Sequence, residues 1–342
     1  MKKVTQTSQR KTDHLKINLE EDVSSGLTTG LENFYFEHQA LPDIDLNNID
    51  LGTEVIGKKI NAPIFISSMT GGSDETLSVN RNLALAANEM NLPMGVGSQR
   101  AAIEDPDLAD SFKIRDIAPD IPIFANLGAV QLNYGYGLKE CQQSVDMINA
   151  DALILHLNPL QEALQPEGDT NFSDLINKIA EVSSGLKVPV IVKEVGWGIS
   201  TETATQLYSA GIKHIDVAGA GGTSWSQIEK YRAQNVKNSE IAETFKDWGI
   251  PTCESIIKLS DSKLPISIFA SGGLKNGVDV AKCLALGADI CGFAGRIIKA
   301  ASQSAEAVSD QLEIIIKELQ ITMFAVGARD ITALKNTLII KR

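Results

Sequence analysis

The chain has 342 residues, with 31 Lys and Arg against 43 Asp and Glu, a formal net charge of −12 with histidine neutral. Hydrophobic residues at 43% and charged residues at 22% fit a globular chain and exclude a disordered one. The acid excess also excludes a non-specific nucleic-acid binder, because neutralising phosphates takes a basic surface. A small phosphorylated ligand held by a few placed cations stays open.

No run approaches the ~18 apolar residues of a membrane span. The opening MKKVTQTSQRKTDHLK has no apolar centre of the kind a signal peptide carries. Cys141, Cys253, Cys283 and Cys291 form neither a C-x-x-C pair nor a metal-ligand spacing. They are expected to be small core or helix residues in a reducing compartment, by default the cytoplasm.

Residues 1–61 precede the first strand-like run and are expected to form an N-terminal extension. Within them RKTDH (10–14) gathers two cations and a histidine, a pattern that alone describes a solvated tail. DIDLNNIDLGTE (43–54) imitates a calcium loop, but Asn48 replaces its required glycine and Asp50 its apolar position, so a solvated acidic loop is expected. GTEVIGKK (52–59) nearly copies a P-loop, except that Lys59 stands where Ser or Thr is needed. No G-x-G-x-x-G, G-x-S-x-G or H-E-x-x-H occurs.

From residue 62 onward, eight short apolar runs recur, each closed by Gly, Ser or Asn. They are APIFISSM (62–69), PMGVGSQ (93–99), PIFANLG (122–128), ALILHLN (152–158), PVIVKEV (189–195), HIDVAGAG (214–221), ISIFASGG (266–273) and DICGFAG (289–295). Stretches with helical periodicity lie between them, such as Leu83, Ala87 and Met90, or Val280, Cys283, Leu284 and Leu286. Strands alternating with helices imply a parallel sheet, and eight of them predict an α/β fold, a (β/α)8 TIM barrel over residues 62–342. The spacing from the sixth strand to the seventh is the longest, and SWSQIEKYRAQNVKNSE (224–240) within it is expected to be an inserted active-site loop.

Barrel chemistry sits at the C-terminal strand ends. In ILHLNPLQE (154–162), alternation puts His156 and Asn158 on one face and Leu155 and Leu157 on the other. The leucines suit the helix layer, so His156 and Asn158 are expected in the barrel mouth, with Gln161 and Glu162 following Pro159. On the fifth strand Lys193 shares the inward face of Ile191. A buried ammonium needs a polar partner: the negative edge of a reduced flavin, a phosphate, or an internal carboxylate such as Glu162. SGGLKNG (271–277) and GFAGR (292–296) are Gly-rich strand ends of the kind that cradle phosphate, and Arg100 in GSQR (97–100) could face a second anion. Trp197 and Trp225 are expected in ligand-face loops, and Trp248 in helix packing.

RKTDH, SSMTGG (67–72), GVGSQR (95–100), HLNPLQE (156–162), KEVGWG (193–198), AGAGGTSW (218–225) and SGG (271–273) occur in that order. Together they resemble the type 2 isopentenyl-diphosphate isomerases, FMN-dependent barrel enzymes, over nearly the full chain. The resemblance implies interconversion of isopentenyl and dimethylallyl diphosphate by a 1,3 proton shift in isoprenoid biosynthesis. It implies reduced FMN, Mg2+, NADPH as reductant, and a homotetramer or homo-octamer. Carried over by position, Ser67, Ser68, Met69, Thr70, Ser98, Asn126, Lys193, Thr223, Gly272, Gly273, Leu274, Ala294 and Gly295 would hold FMN. Arg10, Lys11, Ser98, Gln99, Arg100, His156, Asn158 and Gln161 would bind substrate, so the 1–61 extension would contribute to the substrate site of an FMN-binding 62–342 barrel. Glu162 would hold Mg2+, and Gln161, His156 and Lys193 are the expected catalytic side chains.

Protonating an unactivated alkene demands a strong, well-placed acid. The Gln161 amide does not titrate near neutrality and Glu162 would be occupied by metal, which leaves N5 of the reduced flavin as the expected acid and base. The rival reading is another FMN barrel, an α-hydroxyacid oxidase, which needs a base near the flavin. His214 opens the sixth strand at its N-terminal end, the wrong face for that role. A flavin-binding scaffold without activity is the third reading.

Overall fold

A computed structural model describes residues 6–342 apart from 70 and 73. In chain order the strands are β1 (Phe34–Phe36), β2 (Thr53–Val55), β3 (Lys58–Ile60), β4 (Ile64–Ile66), β5 (Met94–Gly95), β6 (Ile123–Gly128) and β7 (Ala152–His156). They continue with β8 (Val190–Lys193), β9 (His214–Asp216), β10 (Ser267–Ala270), β11 (Ile290–Phe293) and β12 (Ile339–Lys341). β4 to β11 run parallel and in sequence order, and β11 pairs with β4 to close a barrel. The chain therefore folds as a (β/α)8 TIM barrel, each barrel strand lying inside one of the eight apolar runs.

Strand alternation sorts the core into two parts. Inward residues Phe65, Phe124, Ile154, Ile191, Phe269 and Ile290 form a plug inside the barrel, where the Phe65 and Phe269 rings meet edge to face at 5.6 Å. Outward residues such as Leu153, Leu155, Val192, Ile215 and Val217 join the larger core under the helices. One step above the plug, the same inward parity brings Ser67, Asn126, His156, Lys193, Asp216 and Ser271 to the C-terminal end. An apolar plug thus carries a polar ring, and that ring is the floor of the site.

The N-terminal end of the barrel is stopped by the β2–β3 hairpin, whose Val55 and Ile60 belong to the inner core. Ile56 and Gly57 both take positive φ (49° and 73°), the pattern of a two-residue primed turn. The P-loop-like GTEVIGKK is therefore hairpin, far from the ligand face. The 43–54 stretch holds a short 3-10 helix, Leu46–Asn48, with Asp45 accepting from the Asn47 N–H.

Helix α1 (Gln6–Glu20) and the segment after it lie across the other end. Ser25 N–H donates to Gly222 O at 2.8 Å, and Ser224 N–H to Val23 O at 2.8 Å. β1 pairs antiparallel with β12, so the chain's end binds the extension. The 224–240 stretch departs from expectation. It forms two helices, Trp225–Arg232 and Val236–Thr244, rather than an open loop. Its polarity comes from residues that anchor to one another and to α1, which loop composition alone does not distinguish from solvation. Among the described residues no helix is long and apolar enough to cross a membrane.

Candidate active site

A cavity of about 1200 Å³ opens at the C-terminal strand ends, roofed by α1 and the 21–32 segment. It is larger than the roughly 300–1000 Å³ of a typical single-ligand pocket. Its lining includes Arg10, Lys11, Ser67, Ser68, Met69, Ser98, Arg100, Asn126, His156, Asn158, Gln161, Glu162, Lys193, Thr223, Gly272, Gly273, Leu274, Ala294 and Gly295. Every expected site residue is thus gathered around one space, save two. Thr70 lies outside the described residues. Gln99 turns away: its amide Nε2 donates to Ser144 O (2.9 Å) and its Oε1 accepts from Asn126 N–H (3.0 Å). That side chain is fully buried, supports the backbone of Asn126 and lies outside the cavity lining.

His156 ends β7 on the inward face. Its Nδ1–H donates to Asn126 Oδ1 at 2.8 Å, leaving Nε2 as the acceptor of a neutral ring. Burial, with Lys193, Lys11 and Arg10 nearby, pulls its pKa down to about 3. Pro159 starts a short helix, Pro159–Leu164, which presents the next two side chains. Asn158 Nδ2 donates to Gln161 Oε1 (3.1 Å) and to Glu162 Oε1 (2.8 Å). Glu162 Oε2 accepts from the Asp169 N–H at 2.7 Å, so each carboxylate oxygen keeps a lone pair for a cation.

α1 contributes the cations. Lys11 Nζ donates to Ser98 O and lies 4.8 Å above the Phe112 ring; burial and then Arg10 lower its pKa to about 7. Arg10 reaches Gln165 Oε1 at 3.3 Å. Arg100 is held by two carboxylates at 2.7 Å, Glu104 and Asp169.

A network that residue patterns did not single out joins α1 to this center. His14 Nε2 sits 3.1 Å from Glu229 Oε1 and edge-on to Trp225 at 5.0 Å. Arg232 binds Glu229 (2.6 Å) and Glu167 (2.7 Å), and Gln161 Nε2 donates to Glu229 Oε1 at 3.5 Å. Burial pushes the Glu229 carboxyl up, but His14 and Arg232 hold it below the ordinary range. The signals available were the histidine of RKTDH, a pattern that alone describes a solvated tail, and Trp225–Arg232, read as loop. Trp225 lines the cavity. Trp197 is buried outside the lining, and Trp248, expected in packing, is 59% exposed.

Lys193 is buried, and its Nζ donates to Glu194 O at 2.6 Å. The carboxylate beside it is not Glu162. Strand register pairs Lys193 with Asp216 of β9. The Glu194 carboxylate points into the backbone instead, its Oε2 accepting N–H bonds from Val195, Gly196 and Trp197 at 2.5–2.7 Å. Burial nonetheless drives Glu194 up to about 7.

The residues present fit a flavin nucleotide. Among the described residues the Ser68 hydroxyl is buried without a hydrogen-bond partner, Lys193 supplies a buried cation, and the strand-end glycines leave backbone exposed at the cavity wall. Gly272 (φ 106°) and Gly273 (φ 78°) pack so tightly that a Cβ would lie 2.2 Å from Gly219 O and 2.4 Å from Gly221. They also fit Mg2+ shared with a ligand. Among the described residues no three His, Cys, Asp or Glu side chains cluster as a metal cage. Glu162 and Asn158 Oδ1, which has no hydrogen-bond partner among the described residues, would leave further positions to phosphate and water, as Mg2+ prefers.

The fold and the comparisons agree on a class first. Residues 157–341 match the family described as FMN-dependent dehydrogenase. The flavin-binding domain of baker's yeast flavocytochrome b2 superposes with a TM-score of 0.71 at 16% identity, over 96% of this chain and 82% of that one. Mandelate oxidase superposes at 0.68 and 17% identity, over 98% of this chain and 99% of that one. At such identities these two describe the fold alone, a (β/α)8 barrel. The sequence relatives are far closer. A Nostoc sp. (strain PCC 7120 / SAG 25.82 / UTEX 2576) isopentenyl-diphosphate delta-isomerase is 52% identical over 97% of this chain and 95% of its own length. One from Rickettsia bellii (strain RML369-C) is 51% identical over 96% of each. The chain belongs to the isopentenyl-diphosphate delta-isomerase family, in its FMN-dependent type 2 form.

Proposed function

We propose that the chain interconverts isopentenyl and dimethylallyl diphosphate by a 1,3 proton shift, with reduced FMN, Mg2+ and NADPH as reductant. The observation that carries the reading is the array at the end of β7. His156, Asn158, Gln161 and Glu162 share one cavity wall, with the buried Lys193 beside His156 on the next strand and Arg10 and Lys11 in the roof. The reduced flavin, when bound, supplies the proton donor and acceptor that no neutral amide can.

The chain's own residues do the rest. Ser67, Ser68, Met69, Asn126, Lys193, Thr223, Gly272, Gly273, Leu274, Ala294 and Gly295 would bed the cofactor. Arg10, Lys11, Ser98 and Arg100 would hold the diphosphate, and Arg100 must exchange its Asp169 partner for phosphate to do so. Glu162 would hold Mg2+ against that diphosphate, with its orientation set by Asn158 and the Asp169 N–H. Gln161, fixed at both ends by Asn158 and Glu229, would orient the alkene rather than titrate. His156, neutral and bound to Asn126, would keep its acceptor nitrogen toward the ligand. Trp225, Leu15 and Met69 offer apolar surface for the prenyl tail. Residues 1–61 act in this reading as a substrate-side extension of the 62–342 barrel. A homotetramer or homo-octamer in the cytoplasm completes it, with neither nucleic acid nor membrane as partner.

The test is an anaerobic assay of the protein with FMN, NADPH, Mg2+ and isopentenyl diphosphate in D2O. Deuterated dimethylallyl diphosphate formed over many turnovers, with only trace NADPH oxidation, is the expected result. Net substrate oxidation would instead favour the hydroxyacid-oxidase reading. Replacing FMN by 5-deazaFMN should abolish turnover, and normal turnover with it would remove N5 as the acid and base.

A further inference from the structure

The polar ring above the barrel plug contains one charged residue that the proposed chemistry does not use. Asp216 ends β9 on the inward face, 1% exposed, beneath the cavity and outside its lining. Its Oδ1 accepts from Ser271 Oγ at 2.7 Å and from the Ala218 N–H at 3.2 Å. Its Oδ2 is buried with no hydrogen-bond partner among the described residues. Register sets Asp216 directly beside Lys193 on one side and Phe269 on the other.

The neighbouring ionisable groups are committed elsewhere. Glu194 is tied to three backbone N–H groups, Glu162 to Asn158 and Asp169, and His156 is neutral. Burial raises the Asp216 carboxyl, and among the described residues its register neighbour Lys193 is the leading influence that favours the charged form, acting across the strands without a direct ion pair while its Nζ donates to Glu194 O.

We propose that Asp216 is the counter-charge of Lys193, a positioning residue that limits the positive charge Lys193 presents to the flavin. The proposal rests on the reading that Lys193 faces bound FMN. A reduced flavin carries negative charge near N1 and O2. An unopposed ammonium would favour its anionic form and raise its potential, while a paired one keeps more of it protonated. A family that uses reduced flavin to move protons without net redox change has a use for that restraint.

The test compares wild type with Asp216→Asn, which keeps the shape and the Ser271 hydrogen bond while removing the charge. FMN binding is read first, by quenching of flavin fluorescence. The midpoint potential and an absorbance titration of the reduced flavin follow. Asp216→Asn should shift the potential positive and lower the N1 pKa by about one unit, the scale of one neighbouring charge. Ser271→Ala, which withdraws support from the charged carboxylate, should shift both in the same direction by less, and it serves if Asp216→Asn does not fold. Lys193→Met should abolish the effect of Asp216→Asn in the double variant. Wild type that fails to bind FMN would overturn the cofactor reading and the inference together. Bound FMN with unchanged potential and unchanged N1 pKa in both variants would overturn the inference alone.

Discussion

His156 and Lys11 are the two residues whose chemistry the cavity changes most. His156 titrates near 3 when folded, against an ordinary value of 6.5. Between those values the unfolded chain binds a proton that the folded chain does not, so stability is full above about pH 6.5 and falls on acidification. Unfolding at pH 7.5 and pH 5 should differ by on the order of 2 kcal/mol from this residue, and His156→Gln should remove that part. Glu194 runs the other way. Its folded value, raised to about 7 from 4.5, contributes stability below pH 4.5 that is lost as pH rises through 7, so Glu194→Gln should steepen the acid loss. Lys11, held near 7, is largely uncharged at pH 8 until an anion arrives. Inorganic diphosphate should therefore bind at pH 8 with uptake of about one proton, seen as a buffer-dependent binding enthalpy. The uptake should vanish in Lys11→Met.

α1 does not rest on the barrel by apolar contact alone. His14 reaches Glu229 on the helix Trp225–Arg232, and Glu229 reaches Gln161 on the helix Pro159–Leu164. Three elements far apart in sequence thus meet at one carboxylate. His14→Ala should cost about 1–2 kcal/mol of α1 docking. The measurement is faster proteolysis near residues 10–20 and a higher KM for isopentenyl diphosphate, with the thermal transition of the barrel little changed. The turn after β10 is less forgiving. Gly272→Ala would force a Cβ against Gly219 O at a φ of 106°, so a loss of more than about 2 kcal/mol and of FMN retention is expected. Retained FMN absorbance after gel filtration would contradict it.

Taken together, the barrel is a plugged cylinder with one working end. The β2–β3 hairpin and the phenylalanine plug close the bottom, which is why His214, edge-on to Phe269, has no route to the cavity. The β1–β12 pair ties the end of the chain to the extension, and Arg342 N–H donates to Asn33 O at 2.8 Å. Removing residues 336–342 should lower Tm by a few degrees and loosen the extension, while far-UV circular dichroism keeps the barrel signal. An unchanged Tm would show that α1 and the 21–32 segment hold the extension by themselves.

The barrel strands and the parity of their side chains were legible in the residues, because a strand buried on both faces needs a short continuous apolar run and a period of two. HLNPLQE disclosed its place in the cavity wall for the same reason: alternation decides which side chains can face the mouth before any partner is known. Its neighbours did not. Gln99 lies in a motif beside Arg100 yet turns into the core to hold Asn126, since a helix start sends successive side chains in different directions. The helical form of residues 224–240, the register that sets Asp216 rather than Glu162 beside Lys193, and the His14–Glu229–Arg232 network were settled only by the closed barrel. Each depends on which strand ends and helices become neighbours, and that proximity is a property of closure, not of local order along the chain.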